Sequence, residues 1–249
     1  GDIKKMLGEL YGKVTGCAKG KGGSMHLIDL DAGLIAAVPI VGSTIPIGVG
    51  AAWAKKLKNK NEKTVIFFGE GATETGVFHE SLGFAALHNI PVIFVCENNL
   101  YSVYTHVRER QAENRSLKTI VEGHGIKYLF GNGNDIDTVL DNSQKAIDYI
   151  NNEKSPILLE FDTYRLLEHC GPNNDDHLNY RNEIEVQSWI DKCPISLYEN
   201  KLVSSGVISL EEIKKRLEIL DEEINKAFDH ARTAEFLPIE SLYEDIYSE

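Results

Sequence analysis

Two short segments carry residue types suited to holding a metal ion together with a phosphate. Gly69-Glu70-Gly71-Ala72 follows the apolar, β-branched run Thr64-Val65-Ile66-Phe67-Phe68, and Glu97-Asn98-Asn99-Leu100-Tyr101 follows Pro91-Val92-Ile93-Phe94-Val95-Cys96. Each run reads as a strand, and residues 75–89 between them read as one helix. That order predicts a right-handed βαβ unit with two parallel strands. Neighbouring strands lie about 5 Å apart. Glu70 and Asn99 therefore project from one carboxyl edge, where open α/β sheets bind ligands. A carboxylate, an amide oxygen and small glycines suit a hard cation carrying a diphosphate. On spacing alone, Glu70 in a plain turn after a strand is an equally good account.

The elements that must position these residues follow from the rest of the pattern. Strands are expected at 64–68, 91–97, 127–131 and 156–162, with helices at 44–58, 75–89, 116–125 and 135–152. Gly131-Asn132-Gly133-Asn134 marks the turn before the last of these helices. Such alternation predicts an α/β fold, a parallel sheet flanked by helices on both faces. Residues 12–43 are glycine-rich and without period, a long loop of the kind that usually serves a function. Residues 98–115 and 163–179 read as further loops. Helices are expected at 181–191, 195–205 and 209–234, the last opened by the capping box Ser209-Leu210-Glu211-Glu212, before a short acidic tail. The organisation read here is an α/β domain over 1–180 with a helical extension over 181–249. The small residues Gly48, Gly50, Ala51 and Ala52 in the 44–58 helix permit close approach, most simply to its own sheet.

Composition bounds the partners. The 249 residues include 42 % apolar and 26 % charged residues, ordinary for a globular protein with a substantial core. A net charge of −12 argues against nucleic acid or an anionic membrane as partner. Cys17, Cys96, Cys170 and Cys193 are far apart and lack metal-ligand or redox spacing, so a reducing compartment is expected. No membrane span or signal peptide is visible, and the expected location is the cytoplasm, an organelle matrix remaining open. Gly20-Lys21-Gly22-Gly23-Ser24 lacks the spacing and preceding strand of a nucleotide-phosphate loop. The chain starts abruptly in a helix, Ile3 to Tyr11, and a longer native chain is expected.

Five motifs in register give a more specific reading. Cys17-Ala18-Lys19-Gly20-Lys21-Gly22-Gly23-Ser24-Met25-His26, Ile40-Val41-Gly42, Phe67-Phe68-Gly69-Glu70-Gly71-Ala72, Cys96-Glu97-Asn98-Asn99 with Tyr101, and Thr163-Tyr164-Arg165 with Tyr180-Arg181 occur in that order. The chain resembles the alpha subunit of the thiamine-diphosphate (ThDP) dependent first component of 2-oxo acid dehydrogenase complexes, of the pyruvate, branched-chain and acetoin types. The resemblance runs from about residue 5 to the end.

The resemblance implies a ThDP-binding fold whose diphosphate-binding module is this chain. It implies decarboxylation of a 2-oxo acid with transfer of the acyl group, possible only with a beta subunit that supplies the activating glutamate, in a complex of two alpha and two beta chains. The implied acceptor is a lipoyl domain of an acyltransferase or another acyl acceptor. Glu70, the Asn99 side chain and the Tyr101 carbonyl become ligands of Mg²⁺, with Ca²⁺ or Mn²⁺ as alternatives. Gly69, Gly71, Ala72, Arg165 and His169 join them around the cofactor, and the carbonyls of Pro39 and Val41 hold its aminopyrimidine. His26 and His169 become the catalytic pair near the reactive ring. Arg108, Arg110 and Arg115 lie where the family has a loop that orders over the diphosphate.

Several positions depart from the family. Glu70 replaces an aspartate, and its extra methylene moves the carboxylate by roughly 1.5 Å where Mg²⁺ demands near-ideal geometry. Pro39 stands for a glycine, Leu167 for a histidine, and Cys170 for a serine that some members phosphorylate. An upstream Tyr-Arg pair that contacts the diphosphate in the family has no counterpart here. These departures keep two alternatives open: a ThDP enzyme that cleaves an acyloin or ligates a two-carbon unit to a ketone or sugar, and a non-catalytic paralogue.

Overall fold

The structure, a computed structural model, describes residues 1–244, without the side chain of Leu242. The chain divides into two compact units, Gly1–Pro39 with Val203–Glu249, and Ile40–Leu202. It opens with α1 (Ile3–Leu10), capped by Asp2, whose carboxylate accepts from Lys4 N at 2.8 Å.

The second unit holds the sheet. α2 (Thr44–Leu57) leads to β1 (Thr64–Gly69), a 3₁₀ turn (Glu70–Glu74), α3 (Gly76–Leu87) and β2 (Val92–Asn98). The stretch expected as plain loop then carries a two-residue hairpin, β3 (Tyr101–Ser102) and β4 (Thr105–His106), and one turn of helix, α4 (Val107–Arg110). Local hydrogen bonds explain this. Val107 N donates to Leu100 O at 2.8 Å, and His106 Nδ1 accepts from Arg108 N at 3.1 Å. α5 (Leu117–Gly123), β5 (Lys127–Asn132), α6 (Ile136–Asn152) and β6 (Ile157–Asp162) follow, then α7 (Glu183–Ile190) and α8 (Pro194–Ser204). The strand and helix bounds lie within a residue or two of those expected.

The four long strands form one parallel sheet in the order β1-β2-β6-β5. The strands alternate their side chains between faces. Ile66, Phe68, Phe94, Cys96 and Leu158 pack beneath α2, α3 and α5, while Ile93, Val95, Ile157, Leu159 and Phe161 pack against α6. Helices thus cover both faces, as the alternation predicts. On the α6 face, Val65 and Phe67 of the edge strand β1 stay exposed. The burial of Phe78, Leu82 and Phe94 is worth about 1.5–3 kcal/mol each. Gly48 is where α2 meets β1. A Cβ there would stand 2.4 Å from Ile66 Cγ1, so this glycine lets the helix lie on its own sheet. Gly42, at φ +86, turns the chain into α2 in a conformation that favours glycine.

The first unit pairs α1 with α9 (Leu210–Thr233) through Leu7, Ala227 and Ala231, all buried, with Phe228 beside them. The capping box at Ser209 and Glu212 is formed. The acidic tail contains a 3₁₀ turn, Ile239–Tyr243, and residues 245–249 lie outside the described residues. The long 12–43 segment holds a 3₁₀ turn at Gly23–Met25 and single bridges Lys13 to Phe236 and Asp29 to Leu34. Among the described residues no helix is long and apolar enough to cross a membrane. Disulfides are absent among the described cysteines, and Cys96 is a buried core residue.

Candidate cation and diphosphate site

β1 and β2 are neighbours in register, Gly69 opposite Glu97, so both chains leave the sheet at one carboxyl edge. After Gly69 the 3₁₀ turn carries Glu70 inward, where it is 4 % exposed. Thr73 Oγ1 donates to Glu70 O at 2.6 Å and closes the turn. Gly71 sits tight against the hairpin: a Cβ there would meet Ser102 Oγ at 3.0 Å.

A carboxylate so buried requires a positive partner. Arg110 supplies one. Its Nη2 lies 2.5 Å from Glu70 Oε1, and its Nη1 pairs with Glu74. Arg110 Nε donates to Thr105 O at 3.1 Å, and Gln111 Nε2 donates to Glu74 Oε1 at 2.7 Å. Arg115 takes a different partner, donating from Nη2 to Thr73 O at 2.8 Å and to Thr73 Oγ1 at 3.1 Å. Arg108 and Arg115 line one cleft with Val107, Gln111, Ala112 and Glu113. The three arginines therefore divide: Arg110 pairs with the buried carboxylate, Arg115 with Thr73, and Arg108 lines the cleft.

The opposite wall is the turn after β2. Asn99 Oδ1 accepts from Tyr101 N at 2.9 Å, and Asn98 Oδ1 accepts from Leu100 N at 3.1 Å. Leu100 stands at φ +68. Tyr101 is buried, and its hydroxyl donates to Glu185 Oε2 at 2.9 Å. Burial, then that bond, raises its pKa above the ordinary tyrosine range.

This donor set fits a hard cation. It offers one carboxylate, one amide oxygen and main-chain carbonyls, and the carboxylate already draws a positive charge to it. Among the described residues no group of three or more His, Cys, Asp or Glu could hold a metal. A cation at this edge would therefore complete its shell with phosphate oxygens and water. The carboxyl edge is otherwise acidic. Burial pushes the Cys96 thiol well up, and the carboxylates of Glu160, Glu70 and Glu97 add to the shift. Burial and the neighbouring Glu160 also raise Asp162.

The loop 163–181 is held by its own ion pairs. Arg181, fully buried, lies 2.5 Å from Asp175 Oδ1 and 2.7 Å from Asp176 Oδ1. Tyr180 OH donates to Asp175 Oδ2 at 2.7 Å. Arg165 donates to Leu167 O at 2.5 Å, to Val103 O at 2.7 Å and to Tyr180 OH at 3.2 Å, so it ties this loop to the hairpin. Tyr164 stacks on Trp189 with ring centroids 5.4 Å apart. His169 and Cys170 are exposed in the same loop.

Of the residues expected from sequence, Glu70 and Gly71 follow β1 and Asn99 and Tyr101 follow β2, at the adjoining ends of two paired strands, with Gly71 against Ser102. Gly69 and Ala72 flank Glu70 on the chain, and Val41 lies at the entry to α2. His26 and Pro39 belong to the other unit, where both are exposed. In that unit the glycine-rich loop has an anion of its own. The buried Glu9 carboxylate accepts from Ala18 N at 2.7 Å, Gly20 N at 2.9 Å, Gly22 N at 2.6 Å and Gly23 N at 3.1 Å. These amides form a cradle already filled from within the chain.

Sequence reasoning passed over Glu160, Tyr128, Glu9 and the Arg181–Asp175 pair. The signal for Glu160 was present: it is a single carboxylate in the buried apolar run Ile157-Leu158-Leu159-Glu160-Phe161.

Residues 1–240 match the model of the family described as dehydrogenase E1 component. The pyruvate dehydrogenase E1 component subunit alpha of Rickettsia bellii is 34 % identical over 244 residues, covering 98 % of this chain and 74 % of that protein. The somatic mitochondrial form of the same subunit from Homo sapiens is 36 % identical over 247 residues, covering 99 % of this chain and 62 % of that protein. The mitochondrial one from Sminthopsis macroura is 35 % identical, with 99 % and 66 % covered.

Proposed function

The chain belongs to the dehydrogenase E1 component family, and from that premise we propose that it is the alpha subunit of a ThDP-dependent 2-oxo acid dehydrogenase of the pyruvate type. Its part is to bind the metal–diphosphate end of the cofactor. When bound, ThDP supplies the electron sink that allows a 2-oxo acid to lose carbon dioxide. The observation that carries the reading is the placement of Glu70 and Asn99 at the adjoining ends of two paired parallel strands, with Glu70 buried and already matched to a positive charge.

Glu70, the Asn99 side-chain oxygen and the Tyr101 carbonyl hold Mg²⁺, and the longer Glu70 side chain admits Ca²⁺ or Mn²⁺. Gly69, Gly71 and Ala72 keep the backbone open to the diphosphate. Arg110, which pairs with Glu70 here, would be within reach of the bound diphosphate, and a guanidinium is well shaped for a phosphate oxygen. Arg165 and His169 join the residues around the cofactor, with Arg165 held by Leu167 O, Val103 O and Tyr180 OH. The carbonyls of Pro39 and Val41 hold the aminopyrimidine. His26 and His169 hold or move a proton at an imidazole nitrogen near the reacting atoms. A beta subunit contributes the glutamate that activates the cofactor, in a complex of two alpha and two beta chains, and the acyl group leaves on a lipoyl domain. The complex works in the cytoplasm or an organelle matrix, without nucleic acid or membrane.

Native mass spectrometry of the tagged chain, isolated gently from its own cells, tests this. The expected result is a two-plus-two complex carrying two ThDP and metal, which acylates a lipoyl domain when given pyruvate. A cofactor-free assembly would contradict it. So would a loaded complex that ligates two-carbon units to ketones without touching the lipoyl domain.

A further inference from the structure

Glu160 has no place in the site built above, yet it is connected to it. It lies in β6 opposite Cys96 of β2 and Phe130 of β5, and it is 7 % exposed. A carboxylate there is costly unless its lone pairs are filled. Two donors fill them: Asn98 Nδ2 at 2.7 Å from Oε1, and Tyr128 OH at 2.6 Å from Oε2. A trio serving only its own burial would end at these bonds.

It continues through Asn98. The other end of that amide, Oδ1, accepts from Leu100 N at 3.1 Å. Leu100 sits at φ +68, a left-handed conformation that a leucine adopts only when its surroundings impose it. The next amide, Tyr101 N, is bonded by Asn99 Oδ1 at 2.9 Å. An amide side chain has one donor end and one acceptor end. Glu160 accepts and cannot donate, so it dictates which end of Asn98 faces the sheet and which faces the turn. Reversing that amide would remove the bond to Leu100.

We propose that Glu160 is a positioning residue: it orients the Asn98 amide, and Asn98 holds the left-handed turn that offers Asn99 and the Tyr101 carbonyl to a divalent cation. This rests on the cation site of the preceding subsection.

Mn²⁺ binding to the full chain in its native assembly, with ThDP saturating, tests it by the electron paramagnetic resonance signal of the free ion. Asn98→Ala and Glu160→Leu are expected to weaken Mn²⁺ binding by about tenfold or more, as loss of outer supports does in other metal sites. Glu160→Gln keeps an acceptor for Asn98 and should stay within about threefold of wild type. Tyr128→Phe leaves the Asn98 bond intact and should do the same. If Glu160→Leu does not fold, the contrast between Asn98→Ala and Tyr128→Phe decides. Wild-type affinity in Asn98→Ala would overturn the proposal, and so would an equal loss in Tyr128→Phe, which would mark a general packing effect. A wild-type protein that binds no Mn²⁺ would bring down the cation site itself, a different result from a site that binds and ignores Glu160.

Discussion

Arg110 Nη2 lies 2.5 Å from Glu70 Oε1, so the carboxylate proposed to hold a divalent cation carries a positive group from its own chain. The pair is nearly buried, with 12 % and 5 % of the two side chains exposed. This arrangement compensates the buried charge from within the chain, so a metal at the proposed site would exchange one cation for another.

Removing the internal cation should therefore destabilise the metal-free protein. Breaking a buried ion pair by deleting one partner costs about 3 kcal/mol or more. Arg110→Met should lower the melting temperature without metal, and Mg²⁺ with ThDP should recover more of the loss than it adds to wild type. An equal shift in both proteins would argue against exchange at Glu70.

The length of the Glu70 side chain should tune which ion is preferred. Glu70→Asp shortens the reach by one methylene and should move selectivity toward Mg²⁺ relative to Ca²⁺ by about tenfold, equivalent to about 1.4 kcal/mol. Glu70→Gln should weaken both ions. Competition titrations of the two metals in the presence of ThDP measure the ratio directly.

The cradle around Glu9 predicts a pH dependence with a definite sign. Burial alone would raise its pKa, but the amides of Gly20, Ala18, Gly22 and Gly23 together lower it below the ordinary 4.5. A depressed folded pKa contributes stability that is present above the unfolded value and is lost as pH falls through the folded one. Glu9→Gln should thus cost about 2–3 kcal/mol at pH 7, since an amide places donors against backbone donors. The gap between variant and wild type should close as pH falls below 4.5. Chemical denaturation at neutral and acid pH reads both arms.

The two glycines of α2 should respond oppositely to alanine. At Gly50 nothing lies within 4 Å of an added Cβ, and Gly50→Ala should stabilise by about 0.5–1 kcal/mol through helix propensity. At Gly48 the same Cβ would meet Ile66 Cγ1 at 2.4 Å. Gly48→Ala should destabilise by about 1–3 kcal/mol as the helix is pushed off β1. Urea titrations of the two variants suffice.

These predictions mix what sequence reveals with what only the fold reveals. The parallel sheet was legible because β1 and β2 are short apolar runs bounded by Gly and Asn turns, and their pairing places Glu70 and Asn99 as spacing implied. The partner of Glu70 was not legible. Arg110 reaches it only because residues 98–115 fold back as a hairpin and one helical turn, and no period in the sequence encodes that return. Motif order singles out Arg165, but not that its Nη groups join Leu167, Val103 and Tyr180, contacts that depend on how the loop and the hairpin fold. Glu9 lies in an ordinary helix by pattern, and its role emerges from amides 9 to 14 residues further on.

The central claim is that the carboxyl edge of β1 and β2 holds a divalent cation through Glu70 and Asn99. Crystals of the complex grown with Mn²⁺ and ThDP, measured at the manganese absorption edge, test it most directly. One anomalous peak is expected at about 2.1–2.3 Å from a Glu70 carboxylate oxygen and from Asn99 Oδ1, with Arg110 withdrawn from Glu70. ThDP bound with no such peak, and with Arg110 still on Glu70, would contradict it.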